Sequence, residues 1–369
     1  MKNKRIFLSS PHMSDEGYEQ EFVKEAFDTN WVAPLGENVD KFEEELAELV
    51  GVGYASALSS GTAAIHLALK ATGVEKDDIV FCQSLTFSAS TNPIIYENAI
   101  PVFIGSDEKT WNMDPLALKE AFKKYKAKAV ILVHLYGQSA DVDEIKHICD
   151  ENGAVLIEDA AESLGTTYKG KQTGTFGDFG IYSFNGNKII TTSGGGMLVS
   201  NNEEMIKKSR FWATQSRDQA RHYEHSDIGY NYRMSNIVAG IGRGQLKVLS
   251  DRVEKKRGIF NLYKEGLKDI EEISFLNENE WEFSNHWLTP IVISGKVTPN
   301  ELMDELEKHN IESRPVWKPM HLQPVFEKYD YVGNDVAEKL FNHGVCLPSD
   351  TKMTREQQQN VIEIIKGLF

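Results

Sequence analysis

The sequence is poor in cysteine. Its 369 residues include only Cys82, Cys149 and Cys346. Their odd number, wide spacing and lack of any Cys-x-x-Cys exclude a disulfide framework and a cysteine-rich zinc site. Each stands in an apolar stretch and reads as a small buried hydrophobe. Long apolar runs are also missing. No segment approaches the roughly 18–20 residues needed to span a bilayer. Met1-Lys2-Asn3-Lys4-Arg5 is followed only by Ile6-Phe7-Leu8 before Ser9-Ser10-Pro11, so no signal peptide is expected. The reading is a cytoplasmic chain without a membrane partner. Basic residues are outnumbered, 40 Lys and Arg against 55 Asp and Glu, for a formal net charge of −15. That charge repels phosphate backbones, so nucleic acid is not an expected partner, although a local basic pocket for an anion stays compatible with it.

What is present is ordinary for a globular protein: 41% hydrophobic and 26% charged residues, which excludes global disorder. The length suggests about two or three domains. Ile79-Val80-Phe81-Cys82, Pro101-Val102-Phe103-Ile104, Ala129 to Val133 and Ala154 to Ile157 are continuous apolar runs, as in strands buried on both faces of a parallel sheet. Helices fall between them. Asp114-Pro115 pairs an N-cap acid with proline at the first helical position, and Asp141 opens another helix that Asn152-Gly153 closes. This alternation predicts an α/β domain over residues 1–249. Beyond residue 250 a charged helix from Arg252 to Leu267, the strand Ile291-Val292-Ile293, and helices opening at Thr298 and Thr354 predict a smaller C-terminal α+β domain, 250–369.

Three segments carry chemistry. Ser59-Ser60-Gly61-Thr62-Ala63-Ala64 is a small-residue turn leading into a helix, whose free N–H groups and positive dipole end suit a phosphate. Serine and threonine also cap helices that bind nothing. Val155-Leu156-Ile157-Glu158-Asp159-Ala160-Ala161-Glu162 places acids at the C-terminal end of a buried strand, where open α/β sheets hold ligands. A carboxylate there can bind a metal, act as a base or pair with a ligand cation, while Glu158 reads as a solvated acid or helix cap. Phe179 to Gly196 runs from a strand through Ser183-Phe184-Asn185-Gly186-Asn187-Lys188 to a glycine-rich return. Lys188 has Ile189 and Ile190 beside it and no neighbouring acid in sequence, so desolvation would favour a neutral, nucleophilic amine. A lone lysine is otherwise a surface charge.

Together these motifs resemble a fold type I pyridoxal-phosphate enzyme. The Ser-Phe-Asn-Gly-Asn-Lys form resembles the sugar aminotransferases of the DegT/DnrJ/EryC1/StrS family. The likeness runs from Ser9-Ser10-Pro11-His12-Met13 through Pro34-Leu35-Gly36 to Pro348. It implies a large domain with a mainly parallel, seven-stranded-type sheet flanked by helices. The implied cofactor is pyridoxal 5'-phosphate, with pyridoxamine 5'-phosphate as its aminated form; no metal is implied. Lys188 would hold the cofactor aldehyde and move the proton, and Asp159 would keep the pyridine nitrogen protonated. Ser60, Gly61, Thr62 and Ser183 would take the phosphate, and Phe87 would stack on the ring. Asn231 would reach the phosphate in a neighbouring subunit, implying a homodimer with shared sites and leaving open a dimer of dimers. Many family members carry glutamine or histidine at the position of Glu162, close to the ring oxygen. A carboxylate there requires protonation or a turn away.

Arg314-Pro315-Val316-Trp317-Lys318-Pro319-Met320-His321 is similar to the bacillosamine-type enzymes. These aminate C4 of a UDP-linked 2-acetamido-2,6-dideoxy-4-hexulose with L-glutamate as donor. Arg314 and Lys318 suit a diphosphate or a donor carboxylate, Trp317 suits an apolar sugar face, and His321 joins them as a substrate candidate. The same run also reads as a proline-bounded loop with solvated charges. Relatives acting at C3 or on the other C4 epimer are alternatives. A pyridoxamine-dependent dehydratase would replace Lys188, usually with histidine, and a cofactor-binding regulator would lack the lysine or carry an added DNA-binding region. Two nucleotide motifs fail. Gly165 to Lys171 fits Gly-x4-Gly-Lys, but Gln172 stands where a hydroxyl should hold magnesium. Gly240-Ile241-Gly242-Arg243-Gly244 lies in a helical stretch with no strand before it.

Overall fold

A computed structural model describes residues 5–369. Among them the largest sheet has eight strands in the order β1 (Tyr54–Leu58), β9 (Gly196–Ser200), β8 (Phe179–Ser183), β5 (Val155–Asp159), β4 (Ala127–Val133), β2 (Ile79–Gln83), β3 (Ile100–Ile104) and β14 (Tyr331–Val332). From β8 to β14 neighbours run parallel, and β9 turns back antiparallel against both β8 and β1. Seven strands come from the expected large domain. The two-residue β14 arrives from the C-terminal third and extends the β3 edge, which sequence did not announce because two residues carry no periodicity.

The continuous apolar strands are explained by burial on both faces. Cys82, Phe103, Ile131 and Ile157 pack against the helix Gly61–Thr72, while Phe81, Val102, Val130 and Leu156 pack against Pro115–Lys124 and Val142–Asn152. Alternation along each strand distributes these side chains between the two layers. Each fully buried aliphatic side chain contributes about 1.5–3 kcal/mol. Asp114 caps its helix as expected. Asp141 begins its helix without a side-chain cap and instead accepts the Tyr168 hydroxyl at 3.1 Å.

The C-terminal region forms an antiparallel sheet, β10 (Ile273–Phe275), β12 (Thr289–Ile293), β15 (Gly344–Leu347) and β13 (Arg314–Pro315). Helices Pro299–Lys308 and Arg355–Lys366, each opened by a capping box, bury Leu302, Leu306, Val361 and Ile365 with its strands. The helix Leu249–Gly266 spans both cores: Leu249 and Val253 pack beside Phe184 and Met197, while Ile259 and Tyr263 pack beside Ile291. The proposed division at 249/250 falls at the start of this helix. A third, small sheet joins β11 (Glu282–Phe283), β6 (Thr167–Tyr168) and β7 (Lys171–Gln172). The Gly165 to Lys171 motif is thus a hairpin rather than a phosphate loop. The Gly240 to Gly244 motif lies inside the helix Asn236–Leu246, where a Cβ on Gly242 would stand 2.5 Å from Phe42 Cζ. These glycines serve helix packing.

One sequence expectation is overturned. Glu158 is not solvated; it is fully buried. Its carboxylate meets His134 Nε2 at 2.9 Å and accepts backbone N–H bonds from Gly174, Phe176 and Gly177 at 2.8, 2.6 and 2.6 Å. Burial raises its pKa, but the bonds from His134 and the backbone outweigh that and hold it below the ordinary 4.5. A depressed carboxylate stabilises the fold at pH values above its unfolded pKa and loses that contribution as pH falls through the folded value. Glu158→Ala should therefore lower unfolding free energy by roughly 3 kcal/mol or more, because several buried donors lose their acceptor. Glu158→Gln should flatten the acid limb of stability against pH, as followed by urea unfolding from pH 7 down to pH ~3.

Candidate active site

The C-terminal ends of β4, β5 and β8 open on one side of the large sheet, and a cavity of about 660 Å³ lies there. Ser60 caps the helix Gly61–Thr72, its Oγ accepting from Ala63 N at 3.0 Å. A Cβ on Gly61 would stand 3.2 Å from Ser183 Cβ, and one on Gly196 would stand 2.3 Å from Ser60 C. The glycine-rich return is therefore small because β9 begins directly against the helix start. Ser60, Gly61, Thr62 and Ser183 share that wall of the cavity. A helix N-terminus ringed by hydroxyls fits a phosphate.

Asp159 ends β5 nearly buried, at 5% exposure, and lines the same cavity. Its Oδ2 accepts Ser90 Oγ at 2.7 Å and its Oδ1 accepts Ala161 N at 3.2 Å. Ser90 Oγ also meets Thr86 Oγ1 at 2.8 Å, which orients it. An aimed, nearly buried carboxylate is a suitable partner for a protonated ring nitrogen. Phe87, 57% exposed, faces the cavity and lies 5.5 Å from the Trp317 ring. A phosphate cradle, a carboxylate and an aromatic face around one cavity fit pyridoxal phosphate.

Lys188 follows β8, and its side chain is 11% exposed. The acid missing from its sequence neighbours is supplied in space: Nζ lies 3.4 Å from Glu162 Oε1 and 4.3 Å from the centre of the Trp287 ring. Desolvation is therefore accompanied by a carboxylate and a π face, both of which attract a charged ammonium. Glu162 also accepts Tyr136 N at 2.7 Å through Oε2. Burial raises the Glu162 pKa, with Lys188 opposing that rise. Tyr136 itself sits at φ 55°, uncommon for a bulky residue. Its hydroxyl accepts the Trp317 N–H at 3.0 Å, so both ends of the residue are fixed.

Of the substrate candidates, Arg314 and Trp317 line the cavity. Arg314 pairs with Glu312 at 2.7 Å, and Glu312 Oε2 accepts Leu8 N at 3.1 Å. Lys318 and His321 are not among the lining residues. His321 is held elsewhere, with Nδ1 2.6 Å from Ser84 Oγ, Nε2 3.2 Å from Glu338 and its ring stacked on Tyr331. Asn231 is exposed, pairs with Thr214 in an isolated bridge and is not among the residues that line this cavity. Cys346 lines the cavity, but burial lifts the thiol pKa of all three cysteines to about 12, so none supplies a thiolate. Sequence reading missed Ser90, Tyr136, Trp287 and Glu312. The position of Tyr136 just beyond β4 was a usable signal, since ligands gather at strand ends; Trp287 had none.

Comparison with known proteins agrees with this geometry. Residues 14–366 match the DegT/DnrJ/EryC1/StrS aminotransferase family. The chain is 55% identical to the Bacillus subtilis (strain 168) protein named "Putative pyridoxal phosphate-dependent aminotransferase EpsN", over 100% of this chain and 96% of that one. It is 37% identical to a GDP-perosamine synthase of Escherichia coli O157:H7, over 96% of each chain. It is 33% identical to the UDP-4-amino-4,6-dideoxy-N-acetyl-beta-L-altrosamine transaminase of Campylobacter jejuni, over 90% of this chain and 91% of that one. Among solved structures, the Streptococcus pneumoniae protein named "Putative sugar aminotransferase Spr1654", determined in PLP and PMP forms, superposes with a TM-score of 0.91 at 25% identity over 99% of this chain and 98% of that one.

Glu162 supplies an immediate test. Glu162→Ala should lower unfolding free energy by about 1–3 kcal/mol, because the buried Tyr136 N–H loses its acceptor. Glu162→Gln, which keeps a side-chain oxygen there, should recover most of that loss in urea unfolding.

Proposed function

The chain belongs to the DegT/DnrJ/EryC1/StrS aminotransferase family, and from that premise we propose that it transfers the amino group of L-glutamate to C4 of a UDP-linked 2-acetamido-2,6-dideoxy-4-hexulose. It is a pyridoxal-phosphate-dependent sugar aminotransferase. The finer substrate reading has the product UDP-4-amino-4,6-dideoxy-N-acetylglucosamine, made in the cytoplasm for glycan biosynthesis. Its support is the Arg314 to His321 run, similar to the bacillosamine-type enzymes, and the relative named as a transaminase of a UDP-linked amino sugar. The cytoplasmic reading is supported by three buried cysteines that stay unpaired.

The single observation that carries the mechanism is Lys188 Nζ beside Glu162 inside the cavity that Asp159 and the Gly61 helix start also line. Bound pyridoxal phosphate supplies an electron-withdrawing ring that lets a substrate carbon release its proton. Ser60, Gly61, Thr62 and Ser183 would hold its phosphate. Asp159, oriented by Ser90, would keep its ring nitrogen protonated. Phe87 would supply an aromatic face to it. Lys188 takes the glutamate Cα proton on Nζ and delivers it on the other side of the transfer, and the buried walls around it exclude water. Glu162 receives the ammonium when Lys188 is free. In this reading Arg314 meets a carboxylate or diphosphate by exchanging its Glu312 partner, and Trp317 lies along the sugar. Lys318 and His321 enter only as supports of that loop, since neither lines the cavity.

We also propose a homodimer with shared sites, in which Asn231 reaches the neighbouring subunit's phosphate. Its support is that Asn231 is exposed and does not line its own cavity, together with the exposure of Tyr223 and Ile228 on the same segment, at 76% and 75%. A second substrate reading, a GDP-linked 4-keto sugar, is favoured by the relatives named GDP-perosamine synthase at 34–37% identity.

Glutamate alone should bleach the visible absorbance of the holoenzyme and release 2-oxoglutarate. Subsequent addition of the UDP-linked keto-sugar should restore the colour and yield the amino sugar. Restoration only by a GDP-linked keto-sugar would select the second reading, and a colour indifferent to glutamate would overturn the donor. Asn231→Ala should sediment as the wild type does and lose affinity for the cofactor.

A further inference from the structure

We propose that Trp287 is a positioning residue for Lys188, acting through the Asn187 carbonyl and through the face of its indole. The inference rests on the reading of Lys188 above. Lys188 stands on a turn between β8 and β9, and Asn187, the residue before it, is exposed. Phe184, Ile189 and Ile190 anchor the ends of the turn in the core, but the exposed stretch at Asn185 and Asn187 needs contacts from elsewhere to fix a long flexible side chain. Two donors from distant parts of the chain converge on the Asn187 carbonyl: Trp287 Nε1 at 2.7 Å and Ser9 Oγ at 3.0 Å. The same indole places its face 4.3 Å from Lys188 Nζ. One side chain therefore holds both the backbone and the reactive end of the Lys188 unit.

Trp287 can do this because it is itself immobile. It is 1% exposed and stacks near Tyr136, with ring centres 6.4 Å apart and 23° between planes. Its backbone N–H donates to Asn285 Oδ1 at 2.8 Å. Asn285 Nδ2 in turn donates to the carbonyls of Glu162 and Leu164, each at 2.9 Å. The segment Asn285 to Trp287, just before β12, thus fixes Glu162 and the indole together, and these are the two groups that Lys188 Nζ meets. Without the indole, the Asn187 carbonyl keeps only the Ser9 donor and the ammonium keeps only Glu162. A reacting atom misplaced by about 1 Å costs about 100-fold in rate.

The test uses the full-length chain freed of cofactor and then given pyridoxal phosphate or pyridoxamine phosphate. Pyridoxal phosphate must be captured by the Lys188 amine, which adds to the aldehyde carbon with loss of water; pyridoxamine phosphate has no aldehyde and reports binding alone. In Trp287→Leu, capture followed by absorbance should slow by about 10- to 100-fold, while pyridoxamine phosphate affinity and the KM for glutamate stay as in the wild type and kcat falls. Trp287→Phe, which keeps an aromatic face, should recover part of the capture rate. Ser9→Ala, which removes the other donor to Asn187 and leaves Lys256 Nζ its second acceptor, the Ser349 carbonyl at 2.6 Å, should slow capture by a smaller factor and keeps the idea testable if the Trp287 variants fold poorly. Capture at the wild-type rate in these variants, with borohydride-fixed label still on Lys188, would overturn the proposal. A parallel loss of pyridoxamine phosphate affinity would overturn it too, by showing a damaged cavity. A wild-type chain that captures no aldehyde on Lys188 would sink the underlying reading itself.

Discussion

The burial of Glu158 decides which way β5 faces. Successive side chains of a strand point to opposite sides. Glu158 and Asp159 are adjacent, so only one of them can face the cavity. Glu158 is taken up by His134 and by three backbone N–H groups of residues 174–177. A fully buried carboxylate with those partners cannot be turned outward without leaving every donor unpaired. Asp159 is thereby committed to the opposite face, where Ser90 aims it into the cavity. A one-residue slip would exchange the two carboxylates and leave the cavity with an acid that has no place to go.

From that fixed strand the rest of the site follows by neighbourhood. Glu162 lies three residues beyond Asp159 and accepts Tyr136 N from the segment after β4. Its second oxygen meets Lys188 from the segment after β8. Three parallel neighbours thus each deliver one element of the site at the same end of the sheet, the general placement of ligands in open α/β sheets. The C-terminal region closes the cavity from the other side with Trp287, Trp317 and Arg314. The two regions are coupled through Asn285, which hydrogen-bonds the main chain at Glu162 and Leu164.

Much of this was legible in the sequence. Continuous apolar runs, Asp114-Pro115 and Asn152-Gly153 marked strands and helix ends because their signals are local. The short motifs around Gly61, Asp159 and Lys188 carried the family because the chemistry needs those residue types at strand and helix ends. Three kinds of feature stayed hidden. Glu158 read as solvated, since its donors lie elsewhere in the chain at 134 and 174–177. Lys188 read as free of acids, since Glu162 is a neighbour only after folding. Trp287 gave no signal, because an indole before a strand is indistinguishable from ordinary core. The substrate run from Arg314 to His321 looked like one unit, yet folding divides it: Arg314 and Trp317 face the cavity, while His321 is held by Ser84 and Glu338.

We propose that Lys188 moves the proton at the glutamate Cα. The most direct measurement is exchange of that hydrogen in deuterium oxide, followed by proton NMR with holoenzyme and glutamate alone. Loss of the Cα–H signal is expected with the wild-type protein, and its retention with Lys188→Ala holding the same cofactor. Exchange at the wild-type rate in Lys188→Ala would contradict it.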